Sequence, residues 1–272
     1  MGETTLVAVR TDTGQRITVS DLPIETLRSL SDERLLRCPS CGTLLTLKAG
    51  PVRLHHFAHV SLADCDAFDH EPESDSHRQG KLVLYQHFRQ GALNATLEQH
   101  LPQTDQRADV FIEMPGAAGP IRYALEFQQA NNDVARWLHR HGMYRDSGVA
   151  DLWFLGQVRY QERRSEPLRP ISPFDPLPVP RHDYEAASGS FHARELEKAI
   201  LSVAPRLLYL DPDNAMLTIL VGRDLHGNTL RAYRYRLPLA SCSLRSGQLV
   251  TPLDPLLADY TRYLAEHGPS LS

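Results

Sequence analysis

Two acidic residues lie in neighbouring apolar segments of this chain, and their spacing is typical of a metal site beside a phosphodiester. Asp109 lies within residues 106–113 and Glu126 within residues 121–128, with a short Gly/Pro-rich break between them. Both segments are rich in β-branched and aromatic residues, which predicts the paired strands of a hairpin. Strand periodicity places Glu126 and Gln128 on one face, where Asp109 can lie beside them. We expect this group to hold Mg²⁺ or Mn²⁺, because a bound cation removes the repulsion between two close carboxylates.

The same acids have a simpler interpretation, because Asp and Glu on strands often mark only a solvated sheet face. Their neighbours favour the metal interpretation. Asp109 is flanked by Ala108 and Val110, and Glu126 lies between equally apolar residues. An acid in a strand apolar enough to be central is expected to be paired or metal-bound.

A predicted helix over residues 73–90 supplies further polar groups. Glu73, His77 and Lys81 recur at four-residue intervals and therefore share one helix face. Glu73 is a third candidate metal ligand, either directly or through water. The alternative is a surface ladder of ion pairs, with the acid on the N-terminal side of the bases.

A second group of candidate ligands lies upstream. Cys38 and Cys41 form a C-x2-C turn, and His56 and His59 follow at H-x2-H spacing. Two thiolates and two imidazoles suit a tetrahedral structural Zn²⁺ site. Cys65 is a possible fourth ligand instead of His59, and an incidental C-x2-C pair is the alternative to a metal site.

A local basic helix follows the predicted hairpin. Arg136, Arg140 and Tyr144 lie at four-residue spacing on one face of residues 132–145 and are expected to contact DNA. A solvated face, with Trp137, Leu138 and Met143 turned inward, is compatible with the same residues. The formal net charge of −4 and the pI of about 6.3 are unusual for a non-specific DNA binder, so we expect modest, salt-sensitive affinity.

The predicted elements and motifs together resemble a known family. The order helix, three strands, helix, strand over residues 73–156, with acids on the second and third strands, resembles the α/β core of the PD-(D/E)XK (restriction-endonuclease-like) nucleases. Within these, the chain is similar to the competence protein CoiA-like family. The stretches that carry the resemblance are Cys38-Pro39-x-Cys41, His56-Phe57-Ala58-His59, Glu73-Ser74-x-x-His77 with Lys81, Gln106-Arg107-x-Asp109-Val110, Glu126-Phe127-Gln128 and Arg140-x-x-x-Tyr144.

The resemblance implies a Mg²⁺-dependent DNA nuclease with a role in DNA uptake and recombination, with DNA and recombination proteins as partners. It implies a catalytic set of Glu73, Asp109, Glu126, Gln128 and Lys81, and it adds Arg107 to the expected DNA contacts. Gln128 stands where the wider superfamily has a lysine, so that Lys81 or Arg140 would have to supply the missing positive charge. The alternative function is a catalytically weak or inactive DNA-binding accessory protein on the same fold.

Four regions are expected along the chain: a β-hairpin and zinc-binding module over 1–70, a nuclease-like domain over 71–162, a Pro-rich linker over 163–190 and a small α+β domain over 191–272. The sequence has no signal peptide and no apolar run of the roughly 20 residues that span a membrane. Four cysteines, most of them near histidines, favour metal binding in a reducing compartment. We therefore expect a cytoplasmic protein.

Overall fold

The computed structural model describes residues 4–61, 73–90, 94–104, 106–130, 134–167, 184–255 and 258. The chain divides into two compact units. The first consists of Met1–Met114 and Arg122–Glu126, and the second of Pro115–Ile121 and Phe127–Ser272.

The N-terminal part of the first unit contains two small antiparallel sheets and one helix. The elements are β1 (Thr4–Thr5), β2 (Val7–Arg10), β3 (Arg16–Thr18), α1 (Ile24–Asp32), β4 (Leu36–Arg37), β5 (Leu45–Lys48) and β6 (His56–His59). The strand orders are β1-β6-β5 and β3-β2-β4. The hairpin expected near the N-terminus is confirmed, because β2 and β3 pair antiparallel with Val7 opposite Thr18.

The rest of the first unit is a helix followed by three strands: α2 (Asp75–Arg89), β7 (Asn94–Leu101), β8 (Gln106–Met114) and β9 (Ile121–Gln128), of which only residues 122–126 fall in this unit. Ser74 caps α2 by accepting a hydrogen bond from the His77 N–H at 3.1 Å, and the helix buries Leu84 and Phe88. The strand order is β7-β8-β9, so the expected adjacency of the two acid-bearing strands is confirmed.

The second unit has a mixed sheet with two helices. Its elements are α3 (Val134–Asp146), β10 (Val149–Gly156), β11 (Glu162–Glu166), β12 (Glu185–His192), α4 (Glu195–Val203), β13 (Arg206–Asp211), β14 (Met216–His226), β15 (Thr229–Pro238), β16 (Ser243–Arg245) and β17 (Gln248–Val250). Its large sheet runs β11-β12-β15-β14-β13-β10, in which β10 and β13 are parallel and the other pairs antiparallel.

The C-terminal region differs from the sequence expectation in how it joins the rest of the second unit. Phe154 of β10 lies opposite Leu208 of β13, so the strands of the expected small α+β domain extend the sheet that begins with β10. The ends of the expected linker are also strands, because β12 pairs with β15 along its whole length. The prolines of that segment predicted a linker, but β11 at its start pairs with β12 at its end, and β12 also pairs with β15 further along the chain. Residues 168–183 of the linker lie outside the described residues.

Four α-helices fall within the described residues, and together with the mixed sheet they give an α/β fold consistent with a nuclease-like domain. None of these helices combines the length and the apolar character needed to cross a membrane. Within the expected small α+β domain over 191–272, residues 256–257 and 259–272 lie outside the part of the chain that the structure describes.

Candidate functional site

Glu73, His77 and Asp109 converge in the first unit. Each offers one ligand atom, and these atoms all lie within 4.8 Å of one another. Glu73 immediately precedes the Ser74 cap, His77 lies in the first turn of α2, and Asp109 is in the middle of β8. His77 Nε2 is 3.6 Å from Asp109 Oδ2, and all three residues are partly buried. Two carboxylates and an imidazole form a ligand set that fits a divalent cation such as Mn²⁺.

The Glu73 carboxylate is held by cations on both sides. Lys81 Nζ donates to both of its oxygens, at 2.7 and 2.8 Å, and Arg107 lies 3.8 Å from one of them. Arg78 donates to the Glu73 backbone carbonyl at 2.8 Å. The sequence placed Glu73 inside the helix, whereas α2 begins at Asp75, so Glu73 reaches Lys81 from the segment that leads into the helix. Its orientation is therefore fixed before any metal binds.

Glu98 of β7 is a member of this network that the sequence analysis missed. Lys81 is completely buried, and its Nζ also donates to Glu98 Oε1 at 2.5 Å. The other Glu98 oxygen accepts hydrogen bonds from the Thr5 hydroxyl at 2.5 Å and from the Leu6 N–H at 3.1 Å. Glu98 has a φ of 51°, a left-handed conformation that is uncommon for a residue other than glycine. The sequence feature that could have identified Glu98 is an acidic residue within a segment predicted to be a strand.

The buried network shifts the pKa values of its members. Burial alone would lower the pKa of Lys81, but the Glu73 and Glu98 carboxylates outweigh it and raise that pKa above its ordinary value. Burial would raise the pKa of Glu98, but Lys81 and Arg107 outweigh it and lower that pKa to about 2. Lys81 and Glu98 are therefore both charged at neutral pH, and the surface ion ladder considered for Lys81 is replaced by a buried ion pair.

The cluster contains more acid than fixed positive charge. Glu73, Glu98 and Asp109 contribute three carboxylates, whereas Lys81 and Arg107 contribute two cations. Burial lowers the pKa of the nearby His77, but the Asp109 carboxylate and then Glu73 outweigh this effect and raise it. The preference for a proton on His77 reflects the same excess of negative charge that a divalent cation would neutralise.

The other two residues of the expected catalytic set lie on β9. Glu126 is buried at 2% exposure, on the strand next to β8, but the three-residue group does not include it. Gln128 is also buried, belongs to the second unit, and donates from Nε2 to the Ala130 carbonyl at 3.1 Å. Metal binding by Glu126 and positioning of water by Gln128 remain predictions.

The upstream group contains three of the expected zinc ligands. Ligand atoms of Cys38, Cys41 and His59 lie within 4.8 Å of one another, and Cys41 Sγ is 3.4 Å from His59 Nε2. Gly42, at a φ of 70°, curls the turn so that its N–H donates to the Cys38 carbonyl at 2.9 Å. The two thiols therefore face a common point.

His56 does not join that group. The segment His56–His59 is the strand β6, and residues three apart on a strand point to opposite faces, so His56 faces away from the side occupied by His59. The His56 Nδ1 lies 2.8 Å from the Leu54 carbonyl. The sequence pattern could not separate the two histidines because it did not identify the segment as a strand. Cys65, the other candidate ligand, lies outside the described residues.

Two residues of the basic helix α3 that the sequence predicted to contact DNA make contacts inside the protein. Tyr144 is completely buried and accepts a hydrogen bond from Arg140 at 3.4 Å, so it offers DNA no exposed surface. The Arg140 guanidinium lies 5.3 Å from the Trp153 ring centre, a cation–π contact. Trp137 is buried as expected, but Leu138 is 47% exposed. Arg136 and Arg107 are both partly buried, and DNA contact through them remains a prediction.

Comparisons with known proteins match two regions of the chain to one family. Residues 73–210 match the family model described as "Competence protein CoiA, nuclease-like domain", and residues 19–68 match "Competence protein CoiA, N-terminal domain". The chain is 30% identical over 128 residues to the competence protein CoiA of Bacillus subtilis (strain 168). That match covers 47% of this chain and only 33% of the relative's length. No solved structure gives a significant match.

Proposed function

Since the chain belongs to the competence protein CoiA family, we propose that it is a divalent-metal-dependent DNA nuclease that acts in DNA processing and recombination. The convergence of Glu73, His77 and Asp109 beside the buried Lys81 is the observation that carries this proposal. All four residues fall within the region that matches the nuclease-like domain.

Glu73, His77 and Asp109 are the residues that would hold the metal. A divalent cation at such a site lowers the pKa of a bound water and neutralises charge on the phosphate. Lys81 keeps both Glu73 oxygens oriented, and Asp109 is held on the rigid strand β8. Because imidazole suits Mn²⁺ and other transition metals better than it suits Mg²⁺, we expect Mn²⁺ to support at least as much activity as Mg²⁺.

The two remaining residues of the expected catalytic set have supporting roles in this proposal. Glu126 would add negative charge beside the metal, and Gln128 would orient the attacking water through a hydrogen bond. DNA phosphates would be contacted by Arg107 and Arg136.

The test is a cleavage assay with single- and double-stranded DNA in Mn²⁺, Mg²⁺ or EDTA. Asp109→Asn should abolish cleavage, because it removes a charged ligand from the centre of the group. Glu113→Gln is the matched control on the same strand, since Glu113 is more exposed and pairs with Arg122 at 3.0 Å. It should leave cleavage unchanged. Equal activity of Asp109→Asn and wild type would overturn the proposed metal site.

A DNA-binding accessory protein without turnover is the second candidate. Two observations favour it: the Lys81 charge is already matched by the Glu73 and Glu98 carboxylates, and Gln128 carries no charge. Gln128→Lys separates the candidates, because it restores the cation found in the wider superfamily. It should preserve or increase cleavage by a nuclease. Wild type that binds DNA but cleaves none in any metal would establish the accessory role.

We further propose a structural Zn²⁺ held by Cys38, Cys41 and His59. Thiolates and imidazole are the ligands that zinc prefers, and a turn that joins two cysteines to a strand is a suitable scaffold. Cys65 is the candidate for the remaining position. Clustered thiols of this kind persist in reducing compartments, which supports a cytoplasmic location.

A further inference from the structure

A cavity that the metal chemistry does not use lies within the second unit. It has a volume of about 300 Å³, and it is lined by α3, β10, the end of α4 and β17. This is at the lower end of the range of small-molecule sites, roughly 300–1,000 Å³. Such a cavity can hold one ring-sized group.

Two tryptophans form part of the cavity wall. The Trp137 and Trp153 rings meet at 66° with their centres 5.9 Å apart, and His141 stacks on Trp137 with its ring parallel to the indole. Arg140 lies over the Trp153 ring. Packing on these neighbours fixes the orientation of both indoles, so each presents a preset aromatic surface to the cavity that it lines.

The Asp151 carboxylate connects Trp153 and His141, which both line the cavity. Asp151 accepts hydrogen bonds from Trp153 Nε1 at 2.5 Å and from His141 Nδ1 at 2.8 Å. Because a carboxylate can only accept, Nδ1 is the ring nitrogen that carries the proton. His141 Nε2 is then the nitrogen left for another partner, and the described residues record no hydrogen bond to it.

Trp137 presents an unused donor. It is 1% exposed, and its Nε1–H has no acceptor among the residues that the structure describes. A buried N–H without an acceptor is costly, and such groups usually have a partner in the functional state. The residue that carries this donor is also part of the cavity wall.

We propose that this cavity binds a nucleobase of unpaired DNA. The proposal rests on the proposed function and adds to it a subsite for one flipped or single-stranded base. A base offers a flat aromatic face for stacking and an edge with both donors and acceptors, which match the indole planes, the Trp137 N–H and the His141 ring. A base that is paired and stacked in a duplex cannot enter a cavity of this size.

The two tryptophans of the chain both line the cavity, so fluorescence excited selectively in tryptophan reports on it. The intact protein is titrated in EDTA, which prevents cleavage, with oligothymidylate and with an abasic oligomer of equal length. Both oligomers carry the same phosphate charge. The base-containing oligomer should change the fluorescence and bind at least about fivefold more tightly, the lower limit for stacking of one base.

Val203→Phe is designed to fill the cavity, since Val203 is part of its lining and 52% exposed. Val158→Phe is the matched control, because Val158 is 67% exposed and is not part of the lining. Val203→Phe should bind both oligomers with the weaker, abasic-like affinity, whereas Val158→Phe should behave as wild type. Melting temperatures check that both variants fold.

Equal binding of the two oligomers by wild type, or an unchanged preference in folded Val203→Phe, would overturn the base subsite. These results would leave the proposed nuclease intact, provided that metal-dependent cleavage persists. Failure of the nuclease proposal is recognised separately, by the absence of cleavage in a protein that still prefers the base-containing oligomer. If neither oligomer binds, the base subsite is wrong.

Discussion

The first unit contains two groups of potential metal ligands that differ in chemistry and in how they are built. Cys38, Cys41 and His59 come from a tight turn and one short strand, and they offer soft sulfur and nitrogen atoms. The Glu73, His77 and Asp109 group joins the start of α2 to β8 and offers mainly hard oxygen atoms. Ligand softness therefore supports our proposal of zinc at the first group and of Mn²⁺ or Mg²⁺ at the second.

The two groups also differ in the hydrogen bonds that hold their ligands in place. The thiol group is organised by backbone hydrogen bonds of the turn itself, such as that from the Gly42 N–H to the Cys38 carbonyl. The carboxylate group depends on the buried Lys81–Glu98 pair, which connects α2 to β7 and to the N-terminal Thr5. A closed local site suits a metal that stabilises the fold, whereas an acid-rich site on a preformed network suits an exchangeable metal.

The largest expected effect concerns the thiol group. His59→Ala should lose the zinc and destabilise the N-terminal module, because structural zinc sites contribute on the order of 10 kcal/mol of apparent binding energy. His56→Ala, on the same strand but the opposite face, should retain about one zinc per chain. Elemental analysis and native mass spectrometry measure the content. Zinc retained by His59→Ala and lost by His56→Ala would reverse the assignment.

The next effect concerns the support of the carboxylate group. Lys81→Met should cost about 3–5 kcal/mol in unfolding free energy, because it leaves Glu73 and Glu98 buried without their cation. Arg159→Met is the control, since it breaks the equally buried Arg159–Glu197 pair in the second unit. Mn²⁺ should stabilise Lys81→Met more than it stabilises wild type or Arg159→Met, because only Lys81→Met lacks a cation that the metal can replace. Identical responses to Mn²⁺ would remove the link between Lys81 and a metal site.

The comparison also shows how far the sequence alone predicts the fold. The helix expected over 73–90 is Asp75–Arg89, and the acid-bearing segments expected at 106–113 and 121–128 are the strands Gln106–Met114 and Ile121–Gln128. Hydrophobic alternation, turn residues and helix caps act locally, so they can be identified without the rest of the chain. The continuation of the sheet into the C-terminal region depends on strands far apart in sequence, and local patterns did not reveal it.

The sequence named Glu73 and Asp109 as candidate metal ligands but did not indicate that His77 lies beside them. Spacing placed Glu73 and His77 on one helix face, but it did not bring His77 to Asp109. The expected metal pair of Asp109 and Glu126 stays a prediction. Glu98 was missed because its role arises from a left-handed backbone conformation and from contacts with Lys81 and Thr5. These contacts connect separate segments of the chain, and hydrophobic periodicity within one segment gives no information about them.

A third effect tests metal binding at the carboxylate group directly. Mn²⁺ should raise the melting temperature of wild type, because a ligand of the folded state alone stabilises it by about 3 kcal/mol at a hundred times its Kd. Asp109→Asn should abolish this response, while Glu113→Gln on the same strand should retain it. Differential scanning fluorimetry over a range of Mn²⁺ concentrations measures the shift. A full response in Asp109→Asn would exclude Asp109 as a ligand.

The smallest effect concerns acid stability and again separates the two groups. The pKa of Glu98 is lowered to about 2, because Lys81 and Arg107 outweigh the effect of burial. A carboxyl group with a lowered pKa in the folded state stabilises the protein above its ordinary pKa of about 4.5, and this contribution is lost as the pH falls from there towards 2.

Glu98→Gln removes that titration, so its unfolding free energy should depend less on pH over the same window, by on the order of 2 kcal/mol. Acid release of the proposed zinc would be common to wild type and variant, since both keep the same zinc ligands. The difference between their denaturation curves at each pH therefore isolates Glu98. Parallel pH profiles would mean that Lys81 does not stabilise a charged Glu98, and the carboxylate group would lose the buried support that distinguishes it from the thiol group.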